Sequence, residues 1–121
     1  MSHLIVCLGK QDHEKIDEII GFFNNIYLIS EDSTEYRPRS NRSDQKISLL
    51  AMPDADAKSL SDALAAELKL QLSKDKMVDL DIAVHMMSGT GRLHAAVIAA
   101  VMKLGHGIRI VDVKDGKLVE L

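Results

Sequence analysis

Residues 4–8, Leu-Ile-Val-Cys-Leu, form an unbroken apolar run that stops at Gly9-Lys10. A strand with one face in water alternates apolar and polar residues, and this one does not. It therefore predicts a strand buried on both faces, as in a parallel sheet covered by helices. The rest of the chain must supply those covers.

It does so in alternation. From Asp12, whose carboxylate suits an N-cap, Ile16, Ile19, Ile20 and Phe23 fall on one helical stripe, with Glu14 and Asp17 near the positive end of the dipole. Asn24-Asn25 closes that helix, and Ile26 to Ser30 reads as a second, β-branched strand. Residues 31–46 are polar, contain Pro38 and show no apolar period; connections of that length are often functional or mobile. Ile47 to Met52 gives a third strand, stopped by Pro53. Asp54 or Asp56 opens a long helix with Leu60, Leu64, Leu68 and Leu72 at four-residue spacing. A fourth strand covers Leu80 to Met86, a third helix Gly91 to Leu104, and a fifth strand Ile108 to Val113. Asp115-Gly116 is a strong hairpin signal that pairs this strand with Leu118 to Leu121. The pattern predicts one α/β domain over residues 1–121, a Rossmann-like three-layer sandwich with a mostly parallel sheet and a C-terminal β-hairpin.

The third helix carries more apolar surface than one interface needs. Leu93, Val97, Ala100, Val101 and Leu104 make one stripe, while Ala95, Ala96, Ile98, Ala99 and Met102 cover most of the remainder. A helix apolar nearly all round is buried on more than one side. The expectation is a homodimer that uses this helix or its surroundings; the alternative is a central helix covered by its own neighbours.

Composition excludes several functions. The 121 residues carry a net charge of −3, so no general attraction to nucleic acid or anionic membranes is expected, and phosphate contacts must come from a local cluster. Cys7 is the only cysteine, which rules out an intrachain disulfide and a cysteine-based metal site, and the five histidines show no metal-ligand spacing. No metal or cofactor is expected. The apolar start is too short for a secretory signal, and no window approaches the ~20 apolar residues of a membrane span. A cytoplasmic protein is expected.

In open α/β sheets, ligands sit beyond the carboxyl ends of the strands. Here that edge carries Gly9, Lys10 and Gln11 after the first strand, and Ser88, Gly89, Thr90, Gly91 and Arg92 after the fourth. Glycines admit close backbone approach, a helix start favours anions, and Arg92 adds a fork suited to phosphate. The same turn also reads as a tight bend with an exposed arginine. No P-loop is present, and the dinucleotide fingerprint is half met, with His94 where a third glycine would stand and Asp112 near the place of a ribose-binding acid. His94 offers either an acid/base group or a cap, and Arg37, Arg39 and Arg42 form the one basic cluster.

The two segments "LIVCLGKQ" and "DLDIAVHMMSGTGRLHAAVIAAVMKLG" resemble the CRISPR-associated Rossmann-fold (CARF) sensor domains. The usual family turn runs Thr-Gly-Gly-Thr-Lys; here the central Gly and Thr are exchanged and Arg replaces Lys. The resemblance implies a homodimer in antiviral defence that binds a cyclic oligoadenylate across its two-fold axis. It puts the ligand on Gly9, Lys10 and Gln11 and on Ser88, Gly89, Thr90, Gly91 and Arg92. A stand-alone domain without an effector is expected. The competing functions are a metal-independent ring nuclease or other small nucleotide-processing enzyme, and a dimeric assembly module with no ligand.

Overall fold

The computed structural model describes residues 3–10, 13–30, 36–38, 43–53, 55–75 and 81–121. Strand β1 (His3–Leu8) is followed by α1 (His13–Ile20), β2 (Asn25–Ser30), β3 (Lys46–Ala51), α2 (Ala57–Lys74), β4 (Asp81–His85), α3 (Gly91–Lys103), β5 (Gly107–Lys114) and β6 (Lys117–Glu120). The six strands form one sheet in the order β3-β2-β1-β4-β5-β6, parallel except for the β5–β6 hairpin. This is the Rossmann-like α/β architecture that the alternation predicts.

β1 sits at the centre of the sheet, and residues 4–8 are all buried. Ile5 and Cys7 join the core under α2 and α3, where Leu60, Leu64, Leu68, Leu93, Val97 and Ala100 meet Ile82 and Val84. Leu4, Val6 and Leu8 join the opposite core with Ile16, Ile19, Phe23 and Val111 beneath α1. The unbroken apolar run at residues 4–8 thus has an apolar layer on each side in space.

Local chemistry sets most element ends. Asp56, not Asp54, caps α2, accepting the Ser59 N–H at 2.8 Å; residue 54 lies outside the described residues, as do Asp12 and Leu80. The Asp115-Gly116 turn has φ of 54° and 74°, the positive pair that a two-residue hairpin with right-handed twist requires. Helix α1 ends at Ile20, three residues short of Phe23, because Gly21 opens a turn; Phe23 is nevertheless fully buried. No helix among the described residues is long and apolar enough to cross a membrane.

α3 departs from the picture of a helix covered on all sides by its own chain. Leu93, Ala96, Val97, Ala100 and Val101 are buried, but Ala95 and Met102 are exposed and Ile98 and Ala99 only half-buried. The outward face is open and apolar.

Candidate functional site

The strand order reverses direction between β1 and β4: the chain runs outward through β2 and β3 on one side, then through β5 and β6 on the other. The crevice at such a point is where open α/β sheets hold ligands. The turn after β1 and the turn after β4 both lie here, on neighbouring parallel strands.

They touch. A Cβ placed on Gly9 would lie 2.5 Å from the Gly89 nitrogen and 2.8 Å from its Cα, so only glycine fits at position 9. Gly9 donates its N–H to Ser88 Oγ at 2.9 Å. Gly89 holds φ of +91°, a left-handed conformation that other residues rarely adopt. Gly91 has no such constraint, since a Cβ there meets nothing within 4 Å.

Two histidines brace the turns from behind. His13 at the start of α1 lies 2.7 Å from the Gly9 carbonyl, and His94 in α3 lies 2.7 Å from the Ser88 carbonyl, each through Nε2. A carbonyl only accepts, so both rings carry a proton on Nε2 and donate. For His94 this is the capping role. His13 does not stand out in the sequence; the signal that points to it is a histidine one turn after the glycine, at a helix start.

The remaining residues divide by exposure. Ser88 is 2% exposed and its hydroxyl oxygen is engaged by Gly9. Thr90 is the N-cap of α3, accepting the Leu93 N–H at 3.1 Å. Lys10, Gly89, Thr90, Gly91 and Arg92 are exposed at the rim. Lys10 also borders an open cleft of about 400 Å³ with His13, Glu14 and Lys15. Gln11 lies outside the described residues, as do Arg39 and Arg42, while Arg37 is exposed. Next to Arg37, Tyr36 is buried, packs edge-on against the His13 ring with centroids 5.1 Å apart, and donates its hydroxyl to Asp17. The long β2–β3 connection is thereby tied to the helix that follows the first turn.

His85, the last residue of β4, is fully buried with Nε2 3.4 Å from Asp112 Oδ1. The same Asp112 oxygen accepts the Val113 N–H at 2.8 Å. Both groups are engaged within the sheet. Among the described residues, no group of three or more His, Cys, Asp or Glu could hold a metal ion.

No family model matches the chain, and no curated protein matches it by sequence. Among solved structures it is similar to Enterococcus italicus Csm6 bound to cyclic hexa-2'-fluoro-hexa-dAMP, with a TM-score of 0.66 and 12% identity. The match covers 94% of this chain. The chain shares its fold with that structure. The chain spans about a third of that protein, 34% of its length, and at this identity the likeness is one of backbone architecture.

Proposed function

We propose that this chain is a homodimeric, sensor-type domain that binds a cyclic oligoadenylate or a similar phosphate-rich ring at the C-terminal edge of its sheet. The observation that carries this reading is the contact between the Gly9 and Gly89 turns at the switch point, with Lys10 and Arg92 exposed beside it. Bare backbone lets a phosphate approach closely, and the start of α3 adds the positive end of its dipole. The cyclic oligonucleotide bound to Csm6 supports the ligand class.

A two-fold axis would set two Lys10 and two Arg92 side chains around one ring of phosphates, which neutralises a polyanion without a basic chain overall. The open apolar face of α3, with Ile98, Ala99 and Met102, is the surface we assign to that dimer. Ser88 and Thr90 would serve the ligand mainly by holding the cradle in shape, because their oxygens already accept from Gly9 and Leu93.

Calorimetric titration with cyclic oligoadenylates of several ring sizes, and with their linear counterparts, tests the proposal. The expected result is saturable binding at one ring per two chains, weakened well over about tenfold by Arg92→Ala and by Lys10→Ala, each of which removes one charge-assisted contact from both chains. Absence of binding across the whole panel would overturn it. Chromatography of the ligand after long incubation separates a sensor, which returns it intact, from a ring nuclease, in which a ribose 2′-hydroxyl attacks the adjacent phosphate without a metal, breaking the bond to the 5′-oxygen to leave a 2′,3′-cyclic phosphate and a 5′-hydroxyl.

A further inference from the structure

The two edges of the sheet are built differently. β6 carries charge at both ends, Lys117 and Glu120, and Glu120 is paired with Arg109 on β5 at 2.7 Å. Charges of this kind discourage pairing with another strand. β3 carries one charge, Lys46 at its first residue, and none along the rest of its edge. Residues 47–51, Ile-Ser-Leu-Leu-Ala, contain neither charge nor proline, and the lysine before them is tied down by Asp75.

The hydrogen bonds of β3 fix which residues face outward. Lys46 and Met52 donate their N–H groups to Asn24 and Ser30 of the β2 side, at 2.8 and 2.7 Å. In a parallel ladder alternate residues bond to the same neighbour, so Ser48 and Leu50 also face β2. Ile47, Leu49 and Ala51 therefore direct N–H and C=O away from the sheet, and among the described residues no strand lies on that side. Leu49 is 56% exposed in the middle of this row. Beside it runs a groove of about 410 Å³ between β3 and α2, lined by Leu49, Leu50, Ala51, Met52, Ala63 and Glu67. An edge of free backbone groups next to an apolar groove is the geometry by which sheets accept an added strand.

We propose that this edge pairs antiparallel with β3 of a second copy, about a two-fold axis through Leu49, joining two six-stranded sheets into one. The occupant follows from the sequence of the strand itself. With Leu49 on the axis, Ile47 of one copy faces Ala51 of the other, Ser48 faces Leu50, and Lys46 faces Met52. No like charges meet, all three outward residues find backbone partners, and the exposed leucine is covered by its own equivalent. This surface is separate from the ligand edge and from the open face of α3, so its fate does not depend on the ligand.

Sedimentation of four proteins tests it: wild type, Met102→Asp, Leu49→Lys and the double variant. Met102→Asp removes association through α3; the expected result is a wild type larger than a dimer, a dimer in either single variant, and a monomer in the double variant. In the Met102→Asp background, Leu49→Cys is expected to form an interchain disulfide on mild oxidation. Facing hydrogen-bonded residues have Cα atoms about 5.5 Å apart, within disulfide reach, and the native Cys7 is buried. An unchanged circular dichroism spectrum of Leu49→Lys shows that the substitution leaves the fold intact, while its melting temperature is expected to lose the stabilisation that self-association adds. A monomeric Met102→Asp protein that gives no cross-link as Leu49→Cys overturns the proposal and leaves the edge to an extended segment of another protein.

Discussion

Gly9 gives its backbone N–H to the Ser88 hydroxyl across 79 residues of sequence, at 2.9 Å. The two turns are thus one object, and substitutions in either should be felt in both.

The glycines of this edge should separate cleanly. Gly9→Ala puts a methyl 2.5 Å from the Gly89 nitrogen, so one turn must move. We expect a loss of about 1–3 kcal/mol, as for overpacked cores, together with loss of ligand binding. Gly91→Ala meets open space at a helical position, and should leave stability unchanged or raise it by up to about 1 kcal/mol. Chemical denaturation of the two variants checks the pair.

Ser88→Ala removes the acceptor of the Gly9 N–H at a position 2% exposed. Leaving that donor unsatisfied should cost about 1–3 kcal/mol. Hydrogen exchange at the Gly9 amide should accelerate in this variant more than exchange at the centre of β1. Equal acceleration at both would show a global effect instead.

Thr90→Ala deletes the α3 cap and should lower stability by about 1 kcal/mol, whereas Thr90→Ser, which keeps the oxygen, should not. If the hydroxyl also contacted the ligand strongly, Thr90→Ala would reduce affinity by more than its thermal destabilisation explains.

One cluster at the opposite end of the sheet should contribute to both acid and alkaline stability. The Asp75 carboxylate accepts the Tyr27 hydroxyl at 2.6 Å and pairs with Lys46. Burial alone would raise the Asp75 carboxyl, but the Lys46 ammonium and the Tyr27 hydroxyl hold it below the usual range. A carboxyl depressed in the fold stabilises above its unfolded value and loses that contribution as pH falls, so stability should drop below about pH 4. Burial first, and then the bond to Asp75, raise the Tyr27 hydroxyl. A group raised in the fold stabilises below its unfolded value, so stability should also fall above about pH 10. Asp75→Asn should flatten the acid limb of a denaturation profile, and Tyr27→Phe the alkaline limb.

Elements whose cause is local are legible in the sequence. The apolar run at 4–8, the leucines at 60, 64, 68 and 72, and the Asp115-Gly116 turn each state their structure in a few residues, and each is found as expected. The placement of both glycine turns on one edge follows from strand–helix alternation. Their contact does not, because the pairing of β1 with β4 is set by packing across the sheet, with no local signal for which strands become neighbours. For the same reason His13 and Tyr36 do not stand out: each matters through a partner that only the fold supplies. The end of α1 falls three residues before the one its apolar spacing predicts, since the burial of Phe23 mimics a helical period that Gly21 has already broken.

The central place of β1 has a kinetic consequence. Its neighbour β4 is made some eighty residues later, so the first strand of the chain must wait for distant sequence before its second edge is closed. Closing so long a loop has an entropic cost that only later contacts offset. The Gly9–Ser88 bond forms across that pairing. A probe placed there in a refolding experiment would report the moment the two halves of the sheet join.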